Sequence, residues 1–494
     1  MCAIVAILAG HRPVVQDVRD ALFSLEHRGP NSSGMCGYNI PENRLRLPLR
    51  GVGRSQEVFG SMDLSGIEWQ AIIGHNRYAT SGSNLLTDSQ PLLSTTPPIA
   101  IAHNGEVVNV RQLTEKFSQK HVYFTECDVE HILHSLSEQL NDRKYYRANS
   151  IDDLVETRVF PAIEGLFQEV EGAYAVVGML APYGMFAFKD PHGIRPLSYA
   201  VKQEEGGKVH MFASESTAFN FLGGFQDIRE LERGEAVFIS FDGAVYSKVI
   251  EQRQQAACRF EKVYFGFPDS DMWGSKIYDA RTQLGINFGK QYEHLKDMIE
   301  VVMAIPNASI PAAQGVAWYW NKPYGGIFSR GNVRSFLQTN EEDRINAILN
   351  KMCFIKSRIE GNVVLLMDDT EVRGLTSKIV IKKLYDLGAK EVYLGLTFPP
   401  IRHPCVYGID TPDYDELIAA QCNGDIAEIT RRTGAKGVYF LSEENTDNAI
   451  GISTSGVCRA CVTGQYPTGS NSIQQYKAER KEQRLKCKPT IITP

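Results

Sequence analysis

The chain has 494 residues, 43% of them hydrophobic and 22% charged, which is the composition of a soluble globular protein. Its 52 basic and 58 acidic residues leave a formal net charge of −6, too mild and of the wrong sign for a nucleic-acid platform. At about 150 residues per folding unit the length allows about three units, or two large ones, and ten cysteines are too few for a disulfide-stapled secreted scaffold.

From the N-terminus, Met1 to Gly10 is apolar but has no basic leader and stops at His11-Arg12. It predicts a buried strand and not a signal peptide. Helical spacing follows over Val14 to Glu26 and again over Val129 to Gln139, between β-like runs such as Ala71 to Gly74, Ile99 to Ala102 and Glu235 to Ser240. The longest apolar stretch, Gly172 to Phe188, is broken by Gly178, Pro182 and Gly184, and predicts two strands around a turn rather than a bilayer span. Up to about residue 250 the pattern is that of a layered α+β or α/β domain, and the polar stretch Glu251 to Ala257 predicts a linker. Beyond it, Val363 to Met367 is a continuous apolar run, as in a parallel strand covered on both faces. Val380, Leu384 and Leu387 then recur at helical spacing, Gly388 ends the helix, and Val392 to Leu396 completes a βαβ unit. The closing segment, with Lys477, Arg480, Lys481, Arg484 and Lys486, predicts a solvated basic tail. Together these features predict a cytoplasmic, reducing setting, where clustered cysteines more often bind metal or react than form disulfides.

Cys2 becomes the first residue if Met1 is excised, which its small side chain permits. A thiol beside a free α-amine is a self-contained catalytic pair, the amine (reference pKa about 8) acting as base. By position alone, Cys2 reads as a small apolar residue in a strand, and the motifs downstream change that reading. Four motifs follow in order: His27 to Gly34 (HRGPNSSG), Gly74 to Gly82 (GHNRYATSG), Ala102 to Glu106 (AHNGE) and Asp190 to Leu197 (DPHGIRPL). With Cys2 they resemble the glutaminase domain of the N-terminal-nucleophile (class II) glutamine amidotransferases, over about residues 2–240. The resemblance implies an αββα domain in which Cys2 attacks the glutamine carboxamide. Asn104 and the Gly105 N–H would receive the oxyanion, Arg77 would hold the substrate α-carboxylate and Asp128 its α-ammonium. Pro30 departs from the Gln usual in phosphoribosyl members.

In the second half, Val363 to Ser377 (VVLLMDDTEVRGLTS) resembles the phosphoribosyl pyrophosphate (PRPP) motif of type I phosphoribosyltransferases. Two acidic residues at a strand's end can hold ribose hydroxyls, and a Gly/Thr/Ser loop at a helix N-terminus can hold the 5-phosphate. The segments 262–270, 305–313 and 399–410 also resemble the amidophosphoribosyltransferase family, extending the similarity over residues 2 to about 468. The implied chain has a glutaminase domain over 1–250, a phosphoribosyltransferase domain with a mostly parallel sheet over 258–450 and a C-terminal segment over 451–494. The implied reaction converts glutamine and PRPP to 5-phosphoribosylamine, glutamate and pyrophosphate, the first step of de novo purine biosynthesis. The PRPP site would comprise Asp368, Asp369, Thr370, Arg373, Gly374, Thr376, Ser377 and Lys351, with Mg2+ carried by Asp368 and Asp369.

Cys458-Arg459-Ala460-Cys461 forms a C-x-x-C pair, with Cys258 and Cys405 upstream. Four such cysteines fit zinc or an iron–sulfur cluster, and spacing does not choose between them. Resemblance to the iron–sulfur class of the family implies a [4Fe–4S] cluster as a structural staple. Cys36, Cys127, Cys353, Cys422 and Cys487 are then expected to be buried or inert. The family's departures here gather in the synthase half. The loop Gly326 to Phe336 lacks the usual Lys, with Arg330, Arg334 and Lys351 as substitutes, and Leu375, Asn307 and Phe267 stand where Thr, Asp and Arg are usual. These departures keep two alternatives open: a diverged paralogue in a specialised pathway, or a glutaminase or assembly partner with an impaired synthase site. The resemblance further implies a homotetramer or dimer, with no nucleic-acid or membrane partner.

Overall fold

Alternation along the first strand organises the N-terminal half. In Ala3–Leu8, Ala3, Val5 and Ile7 face one way while Ile4, Ala6 and Leu8 face the other, and all six are buried. A strand buried on both faces needs a layer on each side. The computed structural model describes residues 1–79, 86–330, 341–411, 413–469 and 472–487, the side chains of 341–344, 347 and 481–487 excepted.

Ala3–Leu8 lies between Gly207–Ala213 and Ala71–Arg77 in an eight-stranded sheet whose described ladders are antiparallel. A six-stranded antiparallel sheet stacks on its inner face, running Val245–Val249, Glu235–Ser240, Gly184–Lys189, Gly172–Leu180, Pro98–Val107, Leu92–Thr95. Small side chains between the sheets, Ala6, Ala100, Ala102, Ala175 and Ala187, let them approach closely. Helices cover both outer faces: Val18 and Leu22 of Val15–Ser24 pack under the first sheet, and Leu133, Leu136, Ile163 and Phe167 pack on the second. The result is the αββα sandwich that the resemblance implies. The stretch Gly172 to Phe188 forms the two strands expected of it.

The second half is built on a parallel sheet ordered Val301–Ala304, Val363–Asp368, Glu391–Leu396, Gly437–Phe440. Val364, Leu366, Val392 and Leu394 bury in one core with Val380, Ile381 and Leu384 of the helix Leu375–Asp386. That helix crosses from one parallel strand to the next, so the βαβ unit read from the sequence is present. Gly388, at φ +94°, follows its end.

The chain divides into two compact units. The first takes Met1–Ala257, Cys405–Asp410 and the residues from Tyr466 on; the second takes Cys258–Pro404 and Thr411–Gln465. Residues after 450 are therefore shared between the two.

The basic tail differs from the expectation. Ser472–Cys487 is a helix, and Ile473, Tyr476 and Arg480, spaced i, i+3 and i+7, are buried. The Tyr476 hydroxyl donates to Glu106 Oε1 at 2.6 Å, and Arg480 Nη1 donates to the Cys405 carbonyl at 2.8 Å. The charge count of the segment concealed this face because its cations are interleaved with buried residues at helical period. Among the described residues no helix is long and apolar enough to cross a membrane.

Candidate active site

Cys2 sits one residue ahead of the central strand Ala3–Leu8, where pairing with Ala71–Arg77 brings it beside Asn76 to Tyr78. Its backbone nitrogen, the α-amine once Met1 is excised, donates to Asn104 Oδ1 at 3.2 Å. The Tyr78 N–H donates to the thiol Sγ at 3.4 Å. The Cys2 carbonyl accepts from Arg28 Nε at 2.9 Å, and Arg28 in turn pairs with Glu215. Arg28 and Glu215 are both fully buried, and His27 reaches the same carboxylate at 3.1 Å. A buried pair of this kind contributes little net stability but leaves an uncompensated charge if one partner is lost. Here the pair fixes the backbone of Cys2.

Asn104 and Gly105 lie on the strand Pro98–Val107, paired with Gly172–Leu180. Asn104 is wholly buried, and its Nδ2 has no hydrogen-bond partner among the described residues. A buried amide donor left unmatched costs free energy unless a ligand satisfies it, so this group is available to a bound acceptor. Gly105 is obligatory for packing: a Cβ there would lie 1.9 Å from the Ala173 carbonyl oxygen. A Cβ on Gly408, from the Cys405–Asp410 segment of the same unit, would lie 2.9 Å from the Gly105 oxygen. The strand Pro98–Val107 is thus backed closely by that segment.

Arg77 is buried and faces Asp88 Oδ2 at 3.8 Å. Asp128, also buried, accepts from the Val107 N–H at 2.8 Å and lies 3.2 Å from His103 Nε2. Burial opposes its charge, yet the His103 imidazole and the Val107 N–H outweigh that and hold the carboxyl below its ordinary range. Cys127, next in chain, lies within electrostatic reach of both Arg77 and Cys2. Burial pushes its thiol far up, and does the same to Cys36, raised to about 12; both suit inert thiols. Cys422 is also raised by burial, and the Cys487 side chain is outside the described residues.

Asp88, Gln90, His103, Arg28 and Glu215 escaped the sequence reading. Arg28 and His103 stood inside quoted motifs. Gln90, which accepts from the His103 N–H at 2.7 Å, had no motif to mark it.

In the second unit Asp368 ends the strand Val363–Asp368, and Asp369 to Gly374 turn the chain into the helix Leu375–Asp386. Asp369 N–H donates to Asp368 Oδ1 at 2.9 Å, and the Thr370 hydroxyl donates to Asp369 Oδ2 at 2.8 Å. Burial and the neighbouring carboxylates push Asp368 well above the ordinary carboxylate range; burial also raises Asp369. Gly374, at φ +77°, is the helix N-cap, with Thr376 and the buried Ser377 in the first turn. Arg373 extends to Glu416 at 2.9 Å on the exposed surface. Lys351 stands apart from this loop in sequence, just before Met352–Phe354, the strand paired with Ile327–Ser329. Arg334 and the rest of 331–336 lie outside the described residues, as do Thr80 to Gly82 of the GHNRYATSG motif. Glu371, unremarked in the sequence, lies in the loop only 6% exposed. Burial raises its carboxyl to about 7, against hydrogen bonds from Ser377 and the Gly374 backbone.

Two carboxylates at one strand end suit Mg2+, which completes its shell from water and substrate phosphates. The cysteines fit less well. Cys258 and Cys458 stand on the paired strands Ala257–Cys258 and Val457–Cys458, Cys461 lies on the helix Ala460–Thr463, and Cys405 belongs to the first unit. Among the described residues no group of three or more His, Cys, Asp or Glu side chains is disposed to hold a metal ion. The four-thiolate arrangement implied by the sequence is therefore not seen.

Residues 75–221 match a family model described as a glutamine amidotransferase domain. The amidophosphoribosyltransferase of Haemophilus influenzae is 35% identical over 486 residues, covering 96% of this chain and 94% of the relative, and that of Pasteurella multocida is 34% identical over 483 residues, covering 95% and 93%. The solved glutamine PRPP amidotransferase of B. subtilis, complexed with ADP and GMP, superposes with a TM-score of 0.80 at 32% identity, covering 94% of this chain and 97% of that one. Matching of this extent across both units, on an αββα sandwich followed by a parallel sheet, places the chain in the amidophosphoribosyltransferase family.

Proposed function

We propose that this chain hydrolyses glutamine at Cys2 and transfers the ammonia to C1 of PRPP, yielding 5-phosphoribosylamine, glutamate and pyrophosphate. The observation that carries the reading is the Cys2 nitrogen bonded to Asn104, whose own amide donor waits unpartnered beside it. In the glutaminase half-reaction the α-amine takes the thiol proton as sulfur attacks the carboxamide carbon. Asn104 Nδ2 and the Gly105 N–H receive the oxyanion, an interaction commonly worth about 10²–10³ in rate per donor. The amine returns its proton to the departing ammonia, and water hydrolyses the thioester to glutamate. Arg77 binds the substrate α-carboxylate and Asp128 its α-ammonium. In the second half-reaction Asp368 and Asp369 hold the ribose hydroxyls and Thr370 to Ser377 the 5-phosphate, while ammonia displaces pyrophosphate. Mg2+ on Asp368 and Asp369 would neutralise charge on the pyrophosphate leaving group. Lys351, Arg373 and Thr376 are assigned to PRPP binding on resemblance.

The deciding assay is PRPP-dependent pyrophosphate release with glutamine and with ammonium salt as amine donors. Release with both is expected; release with neither overturns the synthase assignment.

The [4Fe–4S] reading for Cys258, Cys405, Cys458 and Cys461 is supported by the thiol donor set and by family membership, and no catalytic step is routed through it. Iron and acid-labile sulfide at about four each per chain are its expected result; stoichiometric zinc, or no metal, would overturn it. A cytoplasmic homo-oligomer is proposed on the same family grounds.

A further inference from the structure

Gln90 and His103 have no part in the chemistry above, yet both are almost wholly buried, at 1% and 2% exposure, and His103 reaches Asp128. Gln90 stands just ahead of Leu92–Thr95, the edge strand of the six-stranded sheet, whose neighbour Pro98–Val107 carries His103. Gln90 Oε1 accepts from the His103 backbone N–H at 2.7 Å. A backbone N–H can only donate, so this bond assigns the amide oxygen and turns the amide nitrogen to the ring. Gln90 Nε2 lies 3.1 Å from His103 Nδ1, closer than the 3.4 Å between Nδ1 and Oε1, and it donates to Cys127 Sγ at 3.5 Å. An amide nitrogen does not accept, so Nδ1 is the acceptor and the ring proton stands on Nε2. Nε2 is the atom 3.2 Å from Asp128 Oδ2, the oxygen that also accepts from the Val107 N–H at 2.8 Å.

We propose that Gln90 is a positioning residue of the glutamine site: by holding both the backbone and the ring of His103, it fixes the tautomer that donates to Asp128 from a neutral imidazole, so that the carboxylate keeps its negative charge and its direction for the substrate α-ammonium. The inference rests on reading Asp128 as the ligand of that ammonium. An imidazolium in the same place would neutralise Asp128 and remove the attraction that selects an α-amino acid over other carboxamides. Gln90 thus acts through His103, and its contribution is to specificity: a charged carboxylate left without an ammonium rejects the analogue that lacks one.

The test measures ammonia release without PRPP from glutamine and from glutaramate, its analogue without the α-ammonium. It uses the full-length chain and its variants Gln90→Glu, Gln90→Met and Asp128→Asn. Glutamate at position 90 still accepts from the His103 N–H but offers Nδ1 no donor, so it draws a proton onto that nitrogen and makes the ring an imidazolium. Methionine keeps the bulk and removes both bonds. The ratio of kcat/KM for glutamine over glutaramate is expected to fall about tenfold in Gln90→Glu and less in Gln90→Met, through KM for glutamine with kcat changed far less. A residue that merely fills the core would slow both substrates alike and lower the melting temperature with the ratio unchanged, and that result overturns the proposal. Should Gln90→Glu not fold, the ratio in Gln90→Met decides by its direction. Should Asp128→Asn keep the wild-type ratio, the ammonium assignment fails by itself. Nitrogen NMR of histidine-labelled protein then decides about Gln90, with the His103 signals identified by their loss in His103→Gln. A proton on Nε2 alone in the wild type, with Nδ1 also protonated in Gln90→Glu, upholds the fixed tautomer. Any other wild-type state, or the same state in both proteins, overturns it.

Discussion

Cys2→Ala is expected to abolish glutamine-dependent pyrophosphate release, by at least about 10³-fold, while ammonium-dependent release stays within about twofold of wild type. The large loss follows from removing the only atom that forms the thioester; what remains is catalysis by positioning and the oxyanion donors alone. The spared ammonia reaction follows from the division of labour. Cys2 belongs to the sandwich of the first unit, held by Tyr78 N–H on sulfur and Arg28 on its carbonyl. Asp368 ends a strand of the parallel sheet of the second, with Asp369 next to it. Alanine at position 2 keeps the strand pairing of Ala3–Leu8 and remains small enough for Met1 excision. Parallel assays of pyrophosphate release with the two amine donors measure the effect. Equal loss with both donors would contradict the role assigned to Cys2.

The second large effect is the mirror image. Asp369→Asn should reduce pyrophosphate release by about 10²–10³ with either amine donor and leave PRPP-independent glutamine hydrolysis within about threefold. The charged carboxylate that would accept ribose hydroxyls and help carry Mg2+ is lost, and hydrogen bonds to a charged group are each worth about 1.5–3 kcal/mol. The substitution is nearly isosteric, and the Thr370 hydroxyl can still donate to the remaining side-chain oxygen. Initial rates of pyrophosphate release and of glutamate formation on one preparation separate the two half-reactions. Loss of glutamate formation as well would indicate a folding defect and not a PRPP-site defect.

Much of both sites was legible because the chemistry is carried by contiguous residues. Val363 to Ser377 holds its strand, carboxylates, glycine and helix start within one βαβ crossover, so sequence order nearly equals spatial order. The AHNGE strand is similar: alternation places Ala100 and Ala102 between the sheets, and Asn104 continues that inner face. The residues that support these groups were less legible. Glu215 reaches Arg28 over a sequence separation of 187, and Tyr476 reaches Glu106 over one of 370. No local period or motif marks such pairs, since their meeting depends on how the sheets and the last helix stack. The C-terminal helix makes the same point, because counting its cations suggested solvation while their spacing allowed a buried face.

The sequence by itself determined the order of the two halves, the motifs on which Cys2 and the loop 368–377 are assigned, and the absence of a nucleic-acid charge pattern. Periodicity and short motifs encode these directly, since each depends on neighbours within a few residues. Only the tertiary structure decided that Asn104 keeps a buried donor unsatisfied, that Asp128 is held charged by His103, and that Glu371 is buried in its loop. Burial and the pairing of distant groups set the free energy of a charge or a hydrogen-bond donor, and neither is a property of residue type.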